Sequence, residues 1–315
     1  MKRMLQGILA LGMVASLAAA AAAEQTDYAI QSVGGVELKL PLGPRPVAMG
    51  EAFVGLADDL NATAWNPAGL TQIKGYQAGF MHSIYLQETS LEYLAYAQEL
   101  FPGAGIGANL TYLNYGTLDK VNETAGGLPE IVGEFTPNTF TFTAGYGQSF
   151  GDALALGGAL KFISQSIDTE SYAAVALDAG MLLQPGVSGL KLGLAVQNLG
   201  TAMADSPLPM NAKAGAAYRM PAFADNDVWH LLLDVNVPFG DANYTSANLG
   251  TEYWINDVVA GRLGYKVKDT GELGGVTGLT AGLGVKLEMI NLDYALVDFG
   301  DLGMTHQIAV GVSFD

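Results

Sequence analysis

The sequence predicts an all-β protein: a 14-stranded antiparallel transmembrane β-barrel with an N-terminal lumenal hatch segment. Apolar and polar residues alternate with a period of two, in segments of about ten residues, from Tyr76 to Phe314, which is typical of strands that cross a membrane as a barrel. Charged side chains keep to one face of these segments. Residues 41–73, directly before the first segment, do not alternate and need a different explanation.

The composition supports a membrane barrel over a soluble enzyme. Half of the 315 residues are apolar and only 14% are charged, against roughly 25% charged residues in an average soluble domain. After the first two dozen residues, no segment approaches the ~18 to 20 consecutive apolar residues that a membrane helix needs. The formal net charge of −17 makes a nucleic-acid partner improbable, because phosphate binding relies on Lys and Arg.

The N-terminus has the pattern of a secretory signal peptide. Lys2 and Arg3 precede an apolar run, and Ala21-x-Ala23 provides a cleavage site. The chain has no Cys, which excludes a lipoprotein anchor and any disulfide. We therefore predict export to the bacterial outer membrane and divide the chain into a signal peptide (1–23), an N-terminal segment with the hatch (24–73) and a transmembrane barrel (74–315).

The alternating segments number fourteen, an even count as in single-chain outer-membrane barrels. They cover residues 76–86, 90–99, 103–115, 136–150, 153–166, 171–184, 189–199, 211–220, 228–237, 244–255, 257–267, 276–288, 289–298 and 304–314. With both termini in the periplasm, the short connections fall on the periplasmic side. The longer connections 116–135, 199–210, 238–243 and 267–275 then face outward, which is the usual asymmetry.

Ten charged residues lie off the apolar register of their segments. Asp178, for example, falls between Leu177 and Ala179, which belong to an apolar series. A Lys or Arg that faced lipid at mid-membrane would cost roughly 2–4 kcal/mol, so we predict that these charges face the lumen. A soluble β-sandwich also alternates, but its strands are usually shorter, about 5–6 residues. The predicted lumenal charges are Lys161, Asp178, Lys191, Lys213, Arg219, Asp234, Glu252, Arg262, Lys286 and Asp293.

Charges of opposite sign occur on neighbouring segments, so we expect ion pairs along the lumen wall. The expected pairs are Lys161 and Lys191 with Asp178, Lys213 or Arg219 with Asp234, Glu252 with Arg262, and Lys286 with Asp293. The alternative interpretation is a polar pathway for a solute. Small inward residues such as Gly157 and Gly193 leave space that the side chains of fourteen strands would not fill.

Residues 41–73, which we call the hatch, are too few to form a core of their own. Val47 to Leu60 has helical spacing, and Asn66-Pro67 is typical of a helix N-cap followed by Pro at the first helical position. We predict that the hatch plugs the lumen, a known solution for barrels; a periplasmic cap or a partner-binding arm is the alternative. The candidates for the hatch surface along a ligand path are Met49, Phe53, Trp65, Asn66 and Pro67.

The hatch motifs and several later ones resemble those of a known family. In chain order they are Arg45-Pro46-x-x-Met49-Gly50, Ala57-Asp58-Asp59, Asn66-Pro67-Ala68-Gly69-Leu70, Val196-Gln197-Asn198-Leu199-Gly200, Glu252-Tyr253-Trp254, Arg262-Leu263-Gly264-Tyr265, Leu292-Asp293-Tyr294-Ala295 and Gly303-x-Thr305-His306. This order resembles the PorV/PorQ-type family of FadL-like outer-membrane β-barrel proteins.

The resemblance implies a fourteen-stranded barrel with an N-terminal hatch. It also implies passive transport of hydrophobic, fatty-acid-like small molecules across the outer membrane. The PorV-type branch implies an alternative role, an accessory of protein secretion or surface assembly that binds exported cargo. The implied partners are outer-membrane lipid and either a hydrophobic ligand or a secreted protein.

We find no pattern that predicts catalysis or a cofactor. His82, His230 and His306 lie far apart along the chain, and without Cys a metal site is improbable. The sequence has neither a G-x-S-x-G nucleophile elbow nor a phosphate-binding loop. We therefore expect a protein that is not an enzyme.

Overall fold

A closed barrel of fourteen antiparallel strands surrounds the hatch. The computed structural model describes residues 34–85, 89–123, 128–239, 245–267 and 278–314, and the predicted signal peptide lies outside these ranges. The barrel confirms the predicted fold class. Within the described ranges, no helix is long and apolar enough to cross a membrane.

The barrel strands follow one another around the ring in chain order. They are β1 (Tyr76–Ile84), β2 (Ser90–Phe101), β3 (Ala104–Asn114), β6 (Asn138–Phe150), β7 (Leu154–Ile167), β8 (Glu170–Leu183), β9 (Leu190–Gly200), β10 (Asn211–Met220), β11 (Val228–Pro238), β12 (Ser246–Ile255), β13 (Val259–Val267), β14 (Leu279–Leu287), β15 (Ile290–Asp298) and β16 (Met304–Phe314). The ring closes where β1 pairs with β16, with Tyr76 opposite Phe314. Two further strands, β4 (Leu118–Glu123) and β5 (Pro129–Phe135), form a separate hairpin between β3 and β6.

The two ends of the barrel differ in the length of their connections. At one end, which we call the turn end, the connections are short, as between β14 and β15, where Glu288 takes a positive φ of 52°. At the opposite end, the loop end, lie the longer connections, including residues 201–210 and the β4–β5 hairpin. The region 116–135 was expected to be a loop. The prediction missed the hairpin because its strands carry few apolar residues, so alternation gives little signal there.

The outer face of the barrel is apolar. In β8, exposed Val175 and Leu177 alternate with buried Ala176 and Asp178, and Leu177 keeps 55% of its surface exposed. One outward exception is the pair of His82 Nδ1 and Glu92 Oε1, which are 2.7 Å apart close to the loop end. The cost of a charge falls toward the end of a membrane-spanning strand, so this position is tolerable.

The hatch lies inside the barrel, as predicted. Helix α1 (Pro44–Ala48) contacts β13 to β16, whereas helix α2 (Ala62–Trp65) and the 3₁₀ helix Pro67–Gln72 contact the opposite wall, including β3 and β6. The apolar side chains of the hatch form the largest core cluster of the described residues, together with Ala217 and Leu232 of the wall. The hatch therefore supplies the core that the barrel side chains alone do not form.

The predicted helix from Val47 to Leu60 is wrong. Helix α1 ends at Ala48, and the chain then turns through Gly50, Glu51 and Ala57, whose φ values are 65°, 66° and 35°. In a regular helix the backbone N–H and C=O groups would bond to one another. Because the hatch follows an irregular course, some of these groups instead lie directly against the wall.

The Asn66-Pro67 pattern is confirmed as a local start signal. The Asn66 side chain accepts a 3.2 Å hydrogen bond from Ala68 N, and Pro67 begins the 3₁₀ helix. A capping oxygen and a residue that has no N–H to satisfy are both suited to this position.

Residues 34–40, the lead segment, lie at the loop end and lead down to the hatch. Gly34 N donates a 3.0 Å hydrogen bond to Pro207 O in the connection 201–210. Farther along, Leu40 packs against the cluster that contains Leu91 and Tyr93. The expectation that both termini lie at the turn end therefore holds for the end of β16. The first described residues are instead at the loop end.

Candidate functional site

The wall contacts the hatch directly at a ring of inward glycines, which we call the glycine collar. A Cβ added at Gly157 would lie within 3.0 Å of Ala68 N, and one at Gly193 within 3.0 Å of Val54 O. Since no side chain fits at these distances, the small inward residues make room for the hatch. The collar consists of Gly105, Gly147, Gly157, Gly180, Gly193, Gly250, Gly264 and Gly282.

Wall side chains also satisfy backbone groups that the irregular hatch leaves without partners. Asp234 Oδ2 accepts hydrogen bonds from Phe53 N and Val54 N, both 2.8 Å long. Thr280 Oγ1 accepts one from Gly50 N at 2.9 Å, and Gln197 Nε2 donates to Ala64 O at 2.7 Å. Buried backbone groups need such partners, so these bonds position the hatch at a defined height.

Arg45 of α1 joins the hatch to the wall near the turn end. Its Nε and Nη2 donate to the two carboxylate oxygens of Glu252 at 2.8 Å each, and its Nη1 contacts Asp58 and Asp59 at 2.7 and 2.9 Å. Burial raises the pKa of Asp59, and repulsion by Asp58 adds to this effect while Arg45 opposes it. A two-pronged Arg–carboxylate contact is strong and geometrically specific.

Arg262 extends this charge cluster along the wall. Its Nε donates to Glu252 Oε2 at 2.8 Å, and its Nη1 lies 2.5 Å from Asp293 Oδ1. The side chains of Glu252 and Arg262 are fully buried. Removing one member of a buried ion pair typically costs about 3–5 kcal/mol, so the cluster strongly favours the seated hatch.

The structure places the ten predicted lumenal charges on the inward register of their strands, and two of the expected ion pairs form. Lys161 Nζ lies 2.8 Å from Asp178 Oδ2, and Arg262 pairs with Glu252. The other pairings are wrong because the hatch, a turn or another wall strand supplies a nearer partner. Lys191 bonds to Gln72, Asp234 to the hatch backbone, Lys286 to Asp257 and Asp293 to Arg262. Arg219 is exposed at the end of β10, with no ion pair among the described residues.

The hatch divides the lumen into cavities at the two ends. The loop-end cavity has a volume of about 780 Å³ and the turn-end cavity about 390 Å³. A smaller one, about 270 Å³, lies at the turn end beside Lys191. Residues 40–42 border the loop-end cavity and residues 43–45 the turn-end cavity, so residues 40–45 are a thin divider between them. A 2.8 Å hydrogen bond from Trp65 Nε1 to Leu42 O closes this divider.

Polar side chains on two facing walls and apolar side chains near the lead segment and the divider line the loop-end cavity. One wall carries a row of threonines on β6, and the facing wall carries amides, a serine and lysines from β9 to β13. Trp65 lies at its floor, where Lys213 Nζ is 4.5 Å from the centre of the Trp65 ring. The polar residues that border the cavity are Glu37, Lys39, Glu51, Asn109, Thr111, Thr139, Thr141, Thr143, Lys161, Gln197, Asn198, Asn211, Lys213, Asn236, Ser246 and Lys266.

Of the five predicted ligand-path residues, Trp65 borders the loop-end cavity. Met49 and Phe53 are fully buried in the hatch core, and Asn66 and Pro67 set the turn before the 3₁₀ helix. These four border neither the loop-end cavity, the turn-end cavity nor the smaller cavity beside Lys191. Their role on a ligand path stays a prediction.

The polar wall was not predicted from the sequence, although a signal for it exists. Thr139, Thr141 and Thr143 alternate with outward Phe140 and Phe142. The inward face was inferred from charged residues alone, without the uncharged polar residues on the same register. Strand parity applies to both kinds of residue equally.

Comparison with known families identifies where this chain belongs. Residues 11–181, more than half of the chain, match the model of an uncharacterised protein family, UPF0164. The chain is a member of the UPF0164 family. The match covers the hatch and the wall strands through most of β8, so the charge cluster's Arg45 and the threonine row lie inside the family region of this UPF0164 protein. No curated protein matches the sequence.

Several solved structures share the fold of the UPF0164 protein at low sequence identity. The Ralstonia pickettii toluene transporter TbuX is 14% identical with a TM-score of 0.59, over 87% of this chain and 98% of that one. The Pseudomonas putida toluene transporter TodX is 14% identical with a TM-score of 0.55, over 84% and 96%. A Pseudomonas aeruginosa FadL homologue is 10% identical with a TM-score of 0.54, over 88% and 99%. These similarities establish a FadL-like barrel fold.

Proposed function

We propose that this protein mediates passive transport of hydrophobic small molecules across the bacterial outer membrane. The observation that carries the proposal is the pair of cavities at opposite ends of the lumen, about 780 and 390 Å³, which approach each other at the divider, residues 40–45. The barrels named as toluene transporters, TbuX and TodX, have a similar fold. A molecule would enter at the loop end and leave at the turn end.

The divider is the part of the plug where passage would need the least rearrangement. Most of the hatch backbone is held by the glycine collar and by Asp234 and Thr280. The divider between the cavities is closed by a hydrogen bond from Trp65 to Leu42 O, with Met81 and Tyr93 adjoining it on the turn-end side. A local shift at Leu42 would join the cavities while the hatch core stays in place. The apolar side chains here would accept the hydrophobic part of the cargo.

The proposal includes the cellular location. The apolar outer face would contact outer-membrane lipid, and residues 1–23 would direct export before removal. The loop end would face outward and the turn end the periplasm, which matches the distribution of long and short connections in outer-membrane barrels. Within the FadL-like barrels, we propose the PorV/PorQ-type branch for this chain, because its hatch motifs resemble those of that branch.

Uptake of the hydrophobic fluorophore N-phenyl-1-naphthylamine tests the proposal in a host that lacks its own FadL-like transporters. Cells that express the protein should take up the probe faster than cells with an empty vector. Trp65→Ala removes the bond to Leu42 O and the bulk beside the divider, so it should accelerate uptake further at equal expression. Trp229→Ala is the matched control, since Trp229 stacks on Phe223 and borders none of the described cavities. Uptake no faster than in the empty host would refute transport.

Deletion of the hatch gives a second test. Without residues 41–73, purified protein in liposomes should admit small sugars non-specifically, because nothing would fill the lumen at the collar. An unchanged swelling rate would contradict the assignment of the hatch as the plug.

The β4–β5 hairpin favours one alternative function, a PorV-like accessory that binds exported protein cargo. Val121 and Ile131, which pair across the hairpin, keep 52% and 64% of their surface exposed. Exposed apolar side chains on a protruding ribbon suit a protein contact. Pull-down from intact cells distinguishes the roles: stoichiometric secreted protein that is lost on deletion of 118–135 supports the accessory role, whereas co-purified hydrophobic small molecules support transport.

A further inference from the structure

We propose that the loop-end cavity recognises an uncharged head group rich in hydroxyls, so that the cargo is an amphiphile with a sugar-like or polyol head. The inference rests on the proposed transport function and adds the chemical class of the molecule. It is supported by the polar walls of the cavity, because a plain hydrocarbon would form no hydrogen bonds with their side chains.

A continuous polar row crosses adjacent strands on one wall of the cavity. Lys213 on β10 lies opposite Asn236 on β11, which lies opposite Ser246 on β12. Asn211, two residues before Lys213, lies opposite Gln197 on β9. Because each of these residues is on the inward register, their side chains form one patch that borders the cavity.

Much of this patch has no partner within the described protein. The side-chain oxygens of Asn211, Asn236 and Ser246 are buried without a hydrogen bond, and Ser246 is only 3% exposed. Leaving a buried polar group unpaired costs about 1–3 kcal/mol. Turning an Asn amide exchanges which of its atoms faces the cavity, so each amide retains an unpaired group in either orientation. The row therefore suits a ligand that can both donate and accept hydrogen bonds.

Lys213 sets the charge preference of this row. Lys161 and Lys266, which also border the cavity, are paired with Asp178 at 2.8 Å and with Glu51 at 2.6 Å. Lys213 forms no such pair within the described ranges, and its ammonium group instead lies over the Trp65 ring at 4.5 Å. Glu37 borders the same cavity, and both of its carboxyl oxygens are buried without a hydrogen bond to any described residue. The cavity therefore offers an unpaired acidic group as well as an unpaired ammonium, and this combination favours a head group without net charge.

The facing wall supplies hydroxyls and a further amide. Thr141 and Thr143 on β6 and Asn109 on β3 border the cavity, with Asn109 opposite Thr143. Asn109 Nδ2 is buried without a partner. Two facing polar walls can surround a compact head group with hydrogen-bonding groups on several sides.

Among simple head groups, hydroxyls fit this arrangement best. A hydroxyl donates and accepts, so it can serve both the Asn oxygens and the Lys213 ammonium. A carboxylate only accepts, so it would pair with neither the carboxyl oxygens of Glu37 nor, in the orientation that the structure shows, the oxygens of Asn211 and Asn236. The apolar tail of the cargo would then extend toward Leu42 and Trp65 at the divider.

Three probes with the same eight-carbon chain test the head group directly: octyl β-glucoside, octanoate and octyltrimethylammonium. Each is added, below its micelle concentration, to the full protein in nanodiscs, and binding is followed by tryptophan fluorescence. Trp65 lies at the cavity floor, so the part of the signal that Trp65→Phe removes reports this site. We expect saturable binding of octyl β-glucoside at least about tenfold tighter than that of the other two probes.

Substitutions on the two sides of the hatch locate the binding. Asn236→Leu should weaken octyl β-glucoside binding about tenfold, and Lys213→Met, at the neighbouring position, should also weaken it. Asn291→Leu is the matched control, because this amide borders the turn-end cavity instead. Circular dichroism and resistance to unfolding by detergent at room temperature identify the variants that retain the barrel. If Asn236→Leu fails to fold, the effect of Lys213→Met on octyl β-glucoside binding tests the location of the site instead.

The results separate this inference from the proposed function. Octanoate binding tighter than octyl β-glucoside, or no Trp65-dependent signal from any probe, would overturn the hydroxylated head group. Equal weakening by Asn291→Leu would overturn the location at the loop end. Normal binding in nanodiscs without accelerated probe uptake in cells would instead refute transport and leave the binding site intact.

Discussion

Asp234 binds the hatch through Phe53 N and Val54 N, although its position on the strand predicted an ion pair with Lys213 or Arg219. Strand parity correctly predicted that the carboxylate points inward. The partner depended on which atoms reach the same point of the lumen, and a backbone turn of the hatch lies there. Both N–H groups point at one carboxylate oxygen, 2.8 Å away.

Asp234→Ala should therefore destabilise the protein by about 2–4 kcal/mol, because two buried backbone N–H groups lose their hydrogen-bond acceptor. The measurement is the unfolding midpoint in detergent, combined with sugar permeability of liposomes, which should rise. Asp152→Ala, at an exposed turn position, is the matched control. A variant with the same unfolding midpoint and the same sugar permeability as the wild type would show that this side chain does not hold the hatch.

For uncharged residues of the wall, as for Asp234, the inward direction is predictable from the sequence and the hydrogen-bond partners are not. The positions of Asn211, Asn236 and Ser246 on inward registers could be predicted from alternation. Their unpaired oxygens could not, because that property depends on what the hatch leaves uncovered. The same dependence separates Trp65, which borders the cavity, from Phe53, which lies in the hatch core.

At the scale of the elements, the fit between the hatch and the barrel decides the structure. The sequence predicted a lumenal plug and indicated free space beside the inward glycines, and these two predictions describe the same contact. Gly157 on β7 and Gly193 on β9 approach the hatch backbone so closely that a Cβ would collide with it. The helix expected from Val47 to Leu60 does not form for the same reason, since hatch backbone groups bond to the wall.

The adjacent glycines of β7 provide a test of this contact. At Gly157 the new Cβ of an Ala would lie within 3.0 Å of Pro67 and Ala68 backbone atoms, whereas at Gly158 the nearest atom, Asp178 O, would be 3.6 Å away. Gly157→Ala should cost about 1–3 kcal/mol through overpacking and raise liposome permeability, and Gly158→Ala should be neutral. Thermal unfolding in detergent measures both variants. Equal stability and equal permeability of the two variants would contradict close contact between the glycine collar and the hatch.

At the scale of the whole molecule, the apolar outer face and the lumenal charges together require a barrel in a membrane. Leu283, near the middle of β14, keeps 60% of its surface exposed on the outer face. The same exposure would be unfavourable in water, but it is suited to hydrocarbon. The strand count and the placement of long connections at one end were predictable because they depend on alternation and on turn residues, which are local.

Leu283→Lys should impair insertion of the whole barrel, since a Lys on the lipid face near the midplane costs roughly 2–4 kcal/mol. The fraction of folded protein in outer-membrane preparations should fall. Val121→Lys, at a comparably exposed position on the β4–β5 hairpin outside the barrel, should have no such effect. Insertion that is equally efficient for both variants would show that Leu283 does not face lipid.

Local sequence patterns are sufficient to predict the number of barrel strands, the inward register of the charges and the presence of a segment that must pack in the lumen. These properties follow from a period of two and from the cost of a charge in hydrocarbon, and both act residue by residue along the chain. Only the tertiary structure decided the conformation of the hatch, the partners of Asp234, Lys191 and Lys286, and the polar cavity above Trp65. Those features depend on contacts across the lumen between residues that are far apart in the sequence, and a local sequence pattern contains no information about such contacts.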